Sequence, residues 1–190
     1  MNFFKTIILF VVIFSGLFSC QNSYNYDKQI KEIDSLKIVL TESLNNLKQI
    51  DSAYCVNALY IQNMYLQFIE AHTNDTLSKS QAQSLQQFSS IYKSFKTFND
   101  FRLIWILNAT QSINQLHHLS KDLQTKSLNK DEANKFILSE KKNAEIIIKD
   151  LKQNALNMRQ VTDAYKHYLP EWETLVKQLN NGQLPTSINQ

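Results

Sequence analysis

The chain has 190 residues, of which 43% are hydrophobic and 19% charged, enough apolar surface for one packed domain and too much for global disorder. It holds only two glycines, Gly16 and Gly182, and two prolines, Pro170 and Pro185. Sheet proteins and α/β enzymes need glycine at positive-φ turns and phosphate loops, so this composition points to an all-α chain. Twenty basic against seventeen acidic residues leave a formal charge of +3, and the longest basic run is Lys141-Lys142, which argues against a nucleic-acid partner.

The amino terminus reads first as a leader. Met1 to Lys5 carries one positive charge, and an apolar stretch follows from Thr6 to Phe14. A spanning helix needs about 18–20 apolar residues; the segment ending at Ser19 is shorter and reads as a signal peptide. Leu17-Phe18-Ser19-Cys20 resembles the bacterial lipobox, in which a branched apolar residue, one intervening position and a small residue precede a cysteine. Phe18 is bulkier than the commonest choice at its place. The resemblance implies cleavage of residues 1–19, diacylglycerol on the Cys20 sulfur, palmitate-type acylation of the new amino terminus and a lipid-anchored envelope lipoprotein. Two or more acyl chains anchor stably, at about 0.8 kcal/mol per buried methylene. Surface-exported lipoproteins of the Bacteroidetes type carry an acidic cluster after the cysteine. Gln21 to Tyr26 contains no acid, so the expected location is the outer membrane, facing the periplasm. Residues 20–26 are read as the lipidated tether.

From Asp27 the chain reads as helix. Ile33, Leu40, Leu47, Tyr54, Ile61 and Phe68 recur every seven residues, with Leu36, Ile50 and Met64 as companions. A polar turn, His72 to Gln81, ends this stretch, and Ser78 with Gln81 fits a capping box. Phe88, Phe95, Ala109, Leu116 and Leu123 repeat the spacing, with Arg102 interrupting. Asn129 then suits an N-cap, and Asp131 and Glu132 suit the first turn of a third helix. In that helix Ile137, Ala144, Leu151, Met158, Tyr165, Trp172 and Leu179 hold seven heptad positions, and Gly182 closes it. Three stretches of about 45–51 residues, roughly 70–75 Å each, predict an elongated up-down-up three-helix bundle or antiparallel coiled coil over residues 27–182, followed by a disordered tail at 183–190. A kink or restart is expected near Asn99-Asp100 and at Pro170.

Folding back about residues 75 and 130 sets Tyr54 level with Phe95 and Tyr165, in an aromatic-rich half remote from the lipid. Tyr54, Tyr65, Phe95, Phe98, Tyr165, Tyr168 and Trp172 are the candidate ligand or partner surface, although aromatics at helical spacing also build cores. With Cys20 lipidated, Cys55 lacks a partner within the chain and reads as a small buried apolar residue. Asp34-Ser35-Leu36, Asp51-Ser52-Ala53 and Asp75-Thr76-Leu77 resemble the Asp-Ser/Thr-aliphatic sites of bacterial O-glycosylation; only Thr76, in the turn, is a candidate. His118 with Asp122, and Asp163 with His167, are half-sites for metal that the register holds apart, and no cofactor or metal is expected. Phosphate-loop, nucleophile-elbow and ferritin-like motifs do not occur, so no catalysis is expected.

The expected function is a lipid-anchored, non-enzymatic helical spacer or protein-interaction module of the envelope. Its partners would be the membrane, through the lipid on Cys20, and another envelope protein, with oligomerisation left open. Alternatives are a carrier of a small apolar ligand or lipid, and an immunity-type inhibitor of an exported toxin.

Overall fold

The computed structural model describes residues 24–73 and 77–185. The expectations for Cys20 and Thr76 lie outside the described residues. Within them the protein is all-α, with four packed helices and no strand: α1 (Asp27–Lys48), α2 (Ser52–His72), α3 (Lys79–Gln124) and α4 (Lys130–Leu179).

The first stretch is therefore two helices, a correction to the single long one expected. Asp51 breaks it: its carboxylate accepts the Tyr54 N–H at 3.0 Å, capping a new helix. This Asp51-Ser52 pair, which resembles a glycosylation tripeptide, works locally as a helix start. The elbow also shifts the seam. In α1, Ile33, Leu40 and Leu47 are buried, as their spacing predicts. Beyond the elbow, Tyr54, Ile61 and Phe68 are only half-buried, while Cys55, Gln62 and Ile69 are buried in their place. The heptad resumes one residue late because the elbow residues do not advance the chain by regular helical turns.

No new helix starts at the two other places where a kink or restart is expected. α3 runs through Asn99-Asp100, where Asp100 pairs with Lys96 one turn earlier at 2.9 Å and caps nothing. α4 runs through Pro170. Proline removes the N–H that would bond the Lys166 carbonyl, but Lys166 and Pro170 are both exposed, so that carbonyl faces water. On the opposite side Tyr165, Trp172 and Val176 are buried and hold the helix to the core.

The remaining ends follow side-chain chemistry. Ser78 and Gln81 exchange bonds in a capping box, as do Asn129 and Glu132. α4 stops at Leu179; Gly182, at φ +87°, donates its N–H to the Lys177 carbonyl at 2.7 Å. Two residues placed by sequence in the flanks join the fold: Tyr26 is buried and Leu184 packs against the core.

α3 and α4 pack together, and α1 and α2 each pack against both of them but not against each other. α1 and α2 thus follow one another along the groove between α3 and α4. Its register is constant. Ser120 meets Asp34 at 3.3 Å and Tyr92 donates to Asn63 at 3.4 Å, between antiparallel helices. Phe88 stacks on Trp172 at 4.0 Å, and Phe95 meets the edge of Tyr165 at 5.6 Å. Lys141 and Glu32 pair at 2.8 Å, bridging α4 to α1.

Candidate functional site

The aromatic half is first of all core. Tyr65, Phe95, Phe98, Tyr165 and Trp172 are buried, so as folded they take the core role that aromatics at helical spacing also fill. The fold-back register brings Tyr54 to 6.2 Å from Tyr165, edge-on, so the aromatics pack on one another, as apolar rings do when partner helices bury them. Tyr54 and Tyr168 are partly exposed. Burial pushes the Tyr65 and Tyr165 phenols above their usual range, with Glu173 adding to the shift. Desolvation, followed by Cys55 and Asp163 close by, raises the Tyr54 phenol as well.

Two openings among the described residues lie at the elbow, where the helix is interrupted. One cleft of about 530 Å³ runs between the elbow and α4. Ile50, Tyr54, Cys55 and Met158 line it alongside Asp51, Arg159, Asp163 and Lys166. Lys166 lies over the Tyr54 ring, 5.6 Å from its centre. A second groove, about 640 Å³, runs between α2 and α3 past Val56, Tyr60, Phe98, Arg102 and Leu103. Cys55 borders both. It is a free and buried thiol, pushed up to about 11 by desolvation and then by Asp51, so it stays protonated at neutral pH and is a poor nucleophile.

Several large apolar side chains are exposed beside that groove. Leu103 is 70% exposed, and Ile104 and Leu107 follow it along α3, with Val56 and Tyr60 across the groove on α2. Each of these side chains leaves about half or more of its surface exposed, and contiguous exposed apolar surface marks interaction sites. The seam periodicity could not reveal this patch, because heptad reading scores only inward positions. The run Phe101 to Leu107, apolar on every side but for Arg102, was its available signal.

His117, His118 and His167 are exposed, and among the described residues no group of three or more His, Cys, Asp or Glu could hold a metal ion. Among the same residues no helix is long and apolar enough to cross a membrane. No protein-family profile, curated protein or solved structure matches the chain.

Proposed function

We propose that the chain is a lipid-anchored, non-enzymatic protein-interaction module of the bacterial envelope, held by acyl chains on Cys20 and facing the periplasm from the outer membrane. In this reading α1 and α2 together form one arm of an elongated up-down-up bundle. The observation that carries it is the exposed apolar face of Leu103, Ile104, Leu107, Val56 and Tyr60. Roughly 40 Å of helix axis separates Asp27 from the level of Val56, so the tether and α1 would hold this face clear of lipid headgroups.

Two measurements test the reading. Membrane fractionation with labelled palmitate should find the protein in the membrane fraction, and Cys20→Ala should release it and abolish labelling. Cross-linking in intact cells should recover a specific envelope partner, and the Leu103→Lys, Leu107→Lys double variant should lose it while melting within ~2 °C of the parent, as exposed substitutions do. A membrane-bound, labelled Cys20→Ala protein, or no specific partner, overturns it.

A second reading, a small-ligand carrier, is favoured by the elbow cleft. Its size falls within the range of small-molecule sites, and an apolar floor with charged walls suits an amphipathic ligand. Native mass spectrometry of protein purified from its own membrane should then show a stoichiometric bound compound; the bare lipoprotein mass removes this reading.

A further inference from the structure

Among the buried side chains, Gln62 stands apart. It is fully buried on α2, and neither its amide nitrogen nor its oxygen has a hydrogen-bond partner among the described residues. Two further polar atoms on α4 are also buried and unpartnered among the described residues, the Tyr165 hydroxyl and the Trp172 indole nitrogen, and Tyr165 meets Tyr54 of α2. Tyr54 against Tyr165 and Asn63 against Tyr92 fix the level of Gln62 between the Phe95–Tyr165 pair and the Phe88–Trp172 pair. A primary amide wedged there loses its bonds to water and gains none, which costs free energy for as long as α2 stays docked. On α1 the buried Ser43 donates to the Val39 carbonyl at 2.7 Å, and the buried unpartnered atoms at the level of α1, the Ser112 hydroxyl and one Glu140 oxygen, belong to α3 and α4.

α2 is also the least extensively packed of the four helices. It does not pack against α1, it joins α1 through a non-helical elbow, and its first turn is flanked by both openings described above. α2 packs on both α3 and α4, and beside it Phe88 with Trp172 and Phe95 with Tyr165 make aromatic contacts directly between those two helices.

We infer that α2 is a releasable arm covering an aromatic groove of α3 and α4, and that the groove takes an amphipathic helix of a partner protein that is apolar where α2 presents Gln62. The chemistry of the occupant follows from what it replaces. It must fill an apolar trough between two helices as a third helix, and an aliphatic side chain at the Gln62 level removes the unpaired amide. On release Gln62 regains water, so opening costs less than the area α2 covers would suggest. This inference rests on the interaction-module reading and gives that module a second, concealed surface.

Hydrogen exchange read by mass spectrometry on the full chain tests it. Amides of α2 should exchange at least about tenfold faster than those in the middle of α4, and Gln62→Leu should slow α2 alone by about tenfold, the factor expected for removing one unsatisfied buried amide. Asp51→Ala, which removes the α2 cap, should speed α2 alone by about fivefold. A synthetic peptide of residues 52–72 carrying Q62L should compete in trans, raising α2 exchange while α3 and α4 stay protected. Exchange of α2 at the α4 rate, or no change in α2 with Gln62→Leu, overturns the arm. Fast α2 exchange with no competition by the peptide overturns the groove as a binding site. No natural partner enters these measurements, so their failure leaves the cross-linking result standing, and failure of cross-linking leaves the exchange result standing.

Discussion

Cys55 shows how burial alone sets the chemistry of one residue. An ordinary thiol titrates near 9, and the folded one is pushed up to about 11. Between those values the folded protein keeps a proton that the unfolded chain has released. Stability is therefore intact below pH 9 and drains as pH rises towards 11, by on the order of 2–3 kcal/mol for this group. The raised tyrosines, Tyr54, Tyr65 and Tyr165, act in the same direction at higher pH. Urea unfolding at pH 7 and at pH 10.5 should show this loss, and Cys55→Ala should lose less than the parent between the two. Identical losses would mean the thiol is hydrated in the fold. Gln62 carries the opposite lesson. Its position is polar by composition yet interior by register, and only the one-residue delay at the elbow puts it there.

The helices divide into those that local chemistry announces and those it does not. Ser78-Gln81 and Asn129-Glu132 are capping boxes on the page and in the fold, because both partners sit within one turn of each other. Asp51 has the same cap chemistry, but Tyr54 at the third position offers no side chain to complete the box, and an unbroken heptad on either side disguises the break. Pro170 misleads the other way, since tertiary contacts of Trp172 and Val176 hold the helix through it. Pro170→Ala restores the N–H facing the Lys166 carbonyl and should stabilise the protein by ~1–3 kcal/mol, raising the midpoint of thermal unfolding by ~2–9 °C. An unchanged or lower midpoint would show that the bond is not recovered.

For the whole molecule, stability rests on the central seam rather than on charge. The three ion pairs among the described residues are all partly exposed, and such pairs contribute little. By contrast, Trp172 is fully buried and stacks on Phe88, so Trp172→Ala should cost ~3–5 kcal/mol in urea unfolding. A loss under 1 kcal/mol would mean that the far end of the bundle is not cooperative with the rest.

Helical class, the α3 and α4 seams, their caps and the level of Tyr54 with Phe95 and Tyr165 were all legible in the amino-acid order. Each depends on residues a few positions apart, or on a period that survives the length of a rigid helix. Only the folded chain shows that the first stretch breaks at Asp51, that Cys55, Gln62 and Ile69 take the interior positions beyond it, and that Leu103, Ile104 and Leu107 face outward. A shift of one residue in helical phase leaves the spacing within each segment unchanged, yet it turns every later side chain by about 100° and so reassigns which of them meet the neighbouring helices.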